Sequence, residues 1–413
     1  MRVGRSVPPA AAPFGWQDLA HAVAGAWSPG RAIRARDEEI RRHFDVPHAF
    51  LVSSGTAALT LTLMALKSQS SKTDVVIPAF TCFSVPAAVV KAGLRPVLCD
   101  IDRLTFDFDH ALIEQTLTGN TLCVVAHDLF AIPADIDRLK AICHPRGIFV
   151  VEDAAQAMGV RANGEYLGTR GDVGIFSLGR GKAITCESGG IVVTRSDRIA
   201  DAIHQRYLRL RLPSRAETLW DFVRIVLMAI FIRPSLYWVP AALPFLRLGE
   251  TIFPEDVSLR LLSGVKAGFL RHWRRRLGES IRLRSETAAD FCWRLSLRPI
   301  QGPSHPYLRL PVLAATPVDK ERIHALSRRL GLGLAAAYPT PVNQIPQLSA
   351  VFDGRQFPGA KRVAERLLTI PTHHWLSEGD KRAIVRCLSM TIPETGTPGT
   401  WPTTPPVEVV HHG

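Results

Sequence analysis

The stretch 171–194, GDVGIFSLGRGKAITCESGGIVVT, decides how this chain reads. Two short apolar runs, VGIFS at 173–177 and GIVVT at 190–194, flank a glycine-rich turn whose single lysine is Lys182. Short β-branched runs bounded by glycine read as buried strands. Ser177 closes the first run and Gly189–Gly190 open the second. A lysine in a loop is ordinarily solvated, so the turn alone does not establish chemistry.

Upstream, the same pattern repeats. Apolar runs at 74–78 (DVVIP), 96–100 (PVLCD), 121–126 (TLCVVA) and 148–152 (IFVVE) alternate with helical spacing near 56–67, 84–92, 109–118 and 135–144. Strands alternating with helices require crossover connections. The expected fold is therefore α/β, with a mostly parallel central sheet covered on both faces. In such sheets ligands bind at the carboxyl ends of the strands. After about 196 the pattern turns helical, and 257–297 reads as helix broken near Gly278. A strand at 306–313 and helices at 318–331 and 377–392 suggest a smaller α+β domain. The expected division is 1–46 (arm and helices, with 1–14 a flexible arm), 47–250 (large domain), 251–395 (small C-terminal domain) and 396–413 (disordered tail).

The chain has 413 residues, 46% of them apolar, which suits two globular domains. A formal charge of +13 favours anionic partners, and phosphorylated substrates satisfy it without nucleic acid. The seven cysteines include no Cys-x-x-Cys pair and lie mostly in apolar runs, as expected of reduced cytoplasmic thiols and not of disulfides or a metal site. The N-terminus shows no apolar stretch of signal-peptide length.

Several strand ends carry polar groups that a core would reject. IFVVED ends with Glu152 and Asp153, and SSGTAAL sets Gly55 and Thr56 at a helix start. Each has an ordinary structural explanation as a helix cap. Together with Ser177 and Lys182 they suit pyridoxal phosphate, which needs an amine, a carboxylate for its pyridine nitrogen and donors for its phosphate. Burial and nearby cations can bring a lysine amine toward neutrality for such work.

These residues lie in a series of runs that resembles the DegT/DnrJ/EryC1/StrS sugar aminotransferases, within the fold-type I (aspartate aminotransferase-like) enzymes. The runs are GAWSPG, SSGTAAL, VVIPAFTCFSVPAAVVKAGLRPVLCDID, VVEDAAQAMG, the 171–194 stretch and LLTIPTHHWLSEGDKRAIV, in the family's order over roughly residues 15–390. The resemblance implies pyridoxal 5′-phosphate joined to Lys182, Asp153 at the pyridine nitrogen, Gln156 near the ring hydroxyl, and Gly55, Thr56 and Ser177 around the phosphate. It also implies a homodimer that moves an amino group from an amino acid, glutamate by analogy, to a keto-sugar carried on a nucleotide, as in polysaccharide biosynthesis. Relatives with His in place of the lysine act as dehydratases; Lys182 favours transamination.

The chain departs from the family pattern in places. Cys82, followed by Phe83, occupies the position where many relatives set an aromatic ring against the cofactor. Glu187-Ser188-Gly189-Gly190 replaces Gly-Glu-Gly-Gly, Ala131 follows His127-Asp128-Leu129-Phe130 where glycine is usual, and no Asn-x-Arg is evident near 253–262. The apolar stretch 219–249 is the least family-like part. Its arginines and prolines keep any run short of the ~20 residues of a spanning helix. It reads as a buried or subunit contact, or as a peripheral contact of 219–246 with the inner face of a membrane, Trp220 and Trp238 lying among arginines. The run His272-Trp273-Arg274-Arg275-Arg276 could join that contact, bind a diphosphate, or be a solvated helix face. An amphiphilic, lipid-linked acceptor and a non-catalytic regulator are the alternatives to a nucleotide-sugar enzyme.

Overall fold

The computed structural model describes residues 3–243, 251–352 and 354–389. The expected tail 396–413 and residues 244–249 of the apolar stretch lie outside them. Helices α1 (Trp16–Trp27) and α2 (Pro29–Phe44) precede β1 (His48–Val52) and α3 (Gly55–Lys67). Then come β2 (Asp74–Pro78), α4 (Ser84–Lys91), β3 (Arg95–Cys99), α5 (Ile113–Thr116), β4 (Thr121–His127), α6 (Ile136–Cys143) and β5 (Phe149–Asp153). A small hairpin, β6 (Arg161–Ala162) and β7 (Glu165–Tyr166), leads into β8 (Val173–Ser177), β9 (Gly190–Thr194) and α7 (Asp197–Tyr207).

Seven of these strands form one sheet in the order β1-β9-β8-β5-β4-β2-β3. The central pairs are parallel, and β9 alone runs against both its neighbours, β8 and β1. The strand interiors are fully buried in β2, β4 and β9, as expected for a sheet covered on both faces. The parallel strands β4, β5 and β8 end together, bringing His127, Asp153 and Ser177 to one edge.

The second half holds α8 (Arg215–Phe231), α9 (Pro234–Ala241), α10 (Gly264–Phe269) and α11 (Trp273–Arg294). It continues with β10 (Arg309–Leu313), α12 (Pro317–Leu330), α13 (Pro358–Arg366), β11 (Leu367–Pro371) and α14 (Glu378–Ser389). β10 and β11 pair antiparallel as a separate sheet.

Four expectations are corrected. The break expected near Gly278 falls instead between α10 and α11, and α11 runs straight through Gly278. A glycine costs a helix about 1 kcal/mol relative to alanine, which the buried stripe Trp273, Leu277, Arg284, Ala288 and Phe291 outweighs. The helix expected at 109–118 shrinks to α5, because Ile101 bridges to Phe108 and Asp109 turns the chain. The arm expected to be flexible is packed from residue 5 onward. Val7, Ala11 and Ala12 are buried, the Ser6 amide donates to Pro234 O (2.8 Å), and Arg5 pairs with Asp380. Finally, the run 272–276 is not one face: Trp273 and Arg276 are buried, whereas Arg274 and Arg275 are not.

Candidate active site

The strand ends and the start of α3 enclose a chamber of about 210 Å³. Gly55, Thr56, Cys82, Asp153, Gln156, Ser177 and Lys182 all line it. Phe83 does not. It turns into the hydrophobic core with 5% of its surface exposed, because the first turn of α4 directs it inward. Stacking by Phe83 is therefore not available in this geometry. The aromatic side chains that do line the chamber are His127 and Tyr338.

Strand alternation separates the two acids at the end of β5. Glu152 points away from the chamber and is fully buried against Arg170, whose Nε (3.1 Å) and Nη2 (3.0 Å) donate to it along with the amides of Arg170 and Gly171. Asp153 points in. Its Oδ1 accepts the Ala155 N–H (3.0 Å), and among the described residues the carboxylate has no other hydrogen bond. Burial raises its pKa, opposed by that N–H, by Lys182 and by His127. A bound cation at its free oxygen would favour the ionised form.

His127 lies beside Asp153 in the sheet register. Its Nε2–H donates to Phe106 O (2.8 Å), which leaves Nδ1 to accept from the Thr81 hydroxyl (3.1 Å). Burial lowers its pKa, in keeping with this neutral tautomer. Gln156 is held at both ends: Oε1 accepts the Phe130 N–H (3.0 Å) and Nε2 donates to Tyr338 Oη (2.9 Å). Sequence reasoning missed Thr81 and Tyr338. Thr81 sits in the quoted VVIPAFTCF run. Tyr338 comes from a distant loop and carried no local signal.

At the other end of the chamber, Ser54 caps α3 by accepting the Ala57 N–H (3.0 Å), which leaves the first amides of the helix facing the chamber. A Cβ on Gly55 would lie 2.9 Å from Ser177 Cβ and Oγ, so only glycine lets the helix start approach β8. The result is a concave wall of amides and hydroxyls at a helix N-terminus, suited to a phosphate. The segment 258–260 lies against this wall, with Ser53 N bonded to Arg260 O (2.9 Å). Arg260, Thr56 and Ser188 border an adjoining hollow of about 180 Å³. The Arg260 guanidinium is itself paired with Glu217 of α8.

Lys182 sits in the turn closed by Leu178 N to Gly189 O (2.8 Å) and Arg180 N to Glu187 O (3.1 Å). Arg284 of α11 holds the turn from behind, donating to Lys182 O (3.4 Å) and Ala11 O (3.0 Å). Glu187 stands at φ 77°, a left-handed conformation in the position where the resembled family has glycine, and Ala131 stands at φ 72° after Phe130 at φ 58°. Such backbone costs of order 1–2 kcal/mol per non-glycine residue. The Glu187 carboxylate is buried 3.3 Å from Lys266 Nζ. Among the described residues no cluster of side chains suits a metal ion.

The residues present fit pyridoxal phosphate: a lysine, a buried half-free carboxylate and a glycine-cleared phosphate wall share one chamber. Residues 17–219 match the family model for the DegT/DnrJ/EryC1/StrS aminotransferase family. A GDP-perosamine synthase from Escherichia coli O157:H7 is 32% identical over 190 residues, 44% of this chain and 52% of that protein. The match thus spans about half of that relative. The structure resembles sugar aminotransferase CalS13 from Micromonospora echinospora (TM-score 0.72, 21% identity, 93% of this chain and 99% of that chain). It also resembles the E. coli GDP-4-keto-6-deoxy-D-mannose-3-dehydratase solved with hydrated PLP (TM-score 0.73, 18% identity, 93% and 99%). The fold is the fold-type I arrangement of PLP enzymes. Within it, the region 17–219 of this chain is similar to the DegT/DnrJ/EryC1/StrS aminotransferase family.

Proposed function

We propose that the protein is a PLP-dependent aminotransferase that moves an amino group from an amino acid, glutamate by analogy, to a keto-sugar, nucleotide-linked in the simplest reading. The observation that carries this is the meeting of Lys182, Asp153 and the α3 start in one chamber. The cofactor supplies an electron sink for the Cα–H bond that breaks in the donor. In our reading Lys182 anchors the cofactor, and its freed Nζ takes the proton from the donor Cα and returns it on the other side of the reaction. Asp153 keeps a proton on the pyridine nitrogen. Gly55, Thr56 and Ser177 hold the phosphate, and Gln156, fixed by Phe130 and Tyr338, orients the ring edge. His127, neutral and locked by Thr81, fills the space beside the ring. Donor and acceptor would use the same chamber in turn, giving ping-pong kinetics.

The division into a large domain at 47–250 and a small one at 251–395 belongs to the same proposal. It is supported by the seven-stranded sheet between residues 48 and 194 and the separate β10–β11 pair. So does a homodimer. A peripheral membrane contact through 219–246 is supported by Leu219 and Trp220, 63% and 61% exposed on α8. Among the described residues no single helix is long and apolar enough to cross a membrane. Co-sedimentation with anionic liposomes tests the contact, and negligible binding by the folded protein ends it. The main reading is tested by adding glutamate to the cofactor-loaded protein. The cofactor absorbance should shift to that of its aminated form, and an unchanged spectrum contradicts the proposal.

A further inference from the structure

The chamber opens into a second, much larger cavity of about 1030 Å³. The two share Cys82, Gln156, Lys182 and Tyr338, so whatever fills the larger space meets the reactive lysine. One wall is aliphatic and aromatic and comes from the helix pair that is least family-like in sequence: Leu227, Met228 and Phe231 of α8, with Val239 and Pro240 of α9. Arg180 and Arg309 line the same cavity, as does Arg224 of α8.

The arginines are not equally provided for. Arg180 has Glu187 at 4.0 Å. Arg224 is exposed on α8 and solvated, whereas among the described residues the Nε and Nη2 of Arg309 are buried without a hydrogen-bond partner. A buried cation that no protein group answers is costly. An anion entering the cavity would relieve that cost.

The apolar wall is also built in place. Buried Lys266 of α10 reaches Asp221 on α8 (2.9 Å) and, in the same step, Glu187 (3.3 Å) and the Ser188 hydroxyl (2.7 Å) in the turn that follows Lys182. The helix that lines the cavity is therefore tied to the loop that carries the chemistry. The arm contributes Pro9 and Ala10 to the rim and is itself bonded to Pro234 at the start of α9. Along this wall a nucleoside would find one neutral hydroxyl, that of Tyr237, whereas a hydrocarbon chain would find Leu227, Met228, Phe231, Ile232, Val239 and Pro240.

We infer that this cavity replaces the nucleotide carrier of the simplest reading with an amphiphilic anion: the acceptor is a keto-sugar joined through phosphate to a hydrocarbon chain. The α8–α9 wall holds the chain, and Arg309 holds the phosphate. This rests on the aminotransferase reading for the sugar but not for the binding of chain and phosphate.

The test uses the cofactor-loaded protein with farnesyl diphosphate, inorganic diphosphate and UDP as probes, followed by calorimetry, with the glutamate absorbance shift recorded on the same samples. Farnesyl diphosphate should bind at least about tenfold tighter than either comparison probe, since each buried methylene contributes a factor of a few. Leu227→Ser, at a position 47% exposed and so tolerant of change, should remove much of that advantage while leaving diphosphate binding as it was. Arg309→Gln should weaken farnesyl diphosphate and diphosphate alike. UDP binding as tightly as farnesyl diphosphate overturns the inference. So does an Arg309→Gln variant that loses glutamate affinity but keeps diphosphate affinity, which would give that arginine to the donor carboxylate. Tight farnesyl diphosphate binding without any glutamate response would instead remove the aminotransferase reading and leave this one standing.

Discussion

In the chamber around Lys182, the polar groups hold one another: Thr81 with His127, Phe130 with Gln156 and Gln156 with Tyr338, Ala155 with Asp153. In the cavity next to it, the Nε and Nη2 of Arg309 have no hydrogen-bond partner among the described residues, and much of the lining from α8 and α9 is hydrocarbon. The first region is preorganised, which is what a reaction centre needs, because its dipoles must already point the right way when charge moves. The second is unfinished without a ligand. One chain thus separates the part that performs chemistry from the part that selects a substrate. The chamber follows the family's sequence runs, and the cavity wall comes from the stretch that departs from them.

The sharpest way to break this division is to remove the amine. Lys182→Ala should lower turnover by about four orders of magnitude or more, the scale of losing a proton-transfer group together with the covalent anchor. Circular dichroism should be unchanged, and borohydride reduction followed by peptide mapping should label Lys182 in the parent alone. A label on another lysine would place the reaction centre elsewhere.

Next in size is Asp153→Asn. It should leave the cofactor bound and cut the rate by roughly two to three orders of magnitude, as loss of a preorganised charge does. Turnover near the parent value would mean that another group faces the pyridine nitrogen.

Gly55→Ala probes the phosphate wall by shape. The added Cβ would meet Ser177 at 2.9 Å. Cofactor affinity should fall by about tenfold, or ~1.4 kcal/mol, read by titrating the apoprotein, with little change in farnesyl diphosphate binding at the other cavity. Equal loss at both would show that the two regions are not separable.

The smallest effect concerns the arm that borders the larger cavity. Burial lowers the pKa of His373 to about 3 and that of His305 to about 4. Both donate through Nε2–H, His373 to Pro8 O (2.8 Å) and His305 to Ala131 O (2.7 Å), and His373 Nδ1 accepts the Trp375 N–H (3.2 Å). Because the folded pKa lies below the unfolded value near 6.5, the unfolded chain binds more protons between the two. Stability is fully present above pH 6.5 and is lost as pH falls toward 4. The melting temperature should drop by several degrees between pH 7 and 5. A flat profile over that interval would mean that these histidines are not held neutral by the fold.

How much was legible in advance differs between the two regions for a physical reason. Buried parallel strands must be short, apolar and β-branched, and a strand end that carries Asp153, Ser177 or a glycine-bounded lysine breaks that pattern locally. The α/β fold and Gly55, Thr56, Asp153, Ser177 and Lys182 as chamber residues were therefore legible in the sequence alone, and Gln156 through the family resemblance. The tertiary structure decided what depends on direction and distance. It turned Phe83 into the core and Cys82 toward the chamber. It brought Tyr338 to Gln156 across 182 residues of chain. It packed the arm that polar, proline-rich composition suggested was loose, because Arg284 and His373 reach its carbonyls from far along the chain. It also brought the apolar stretch into one cavity with the lysine and with Arg180 and Arg309. Periodicity reports which side of an element is apolar, but what that side meets is fixed only when the chain has closed around it.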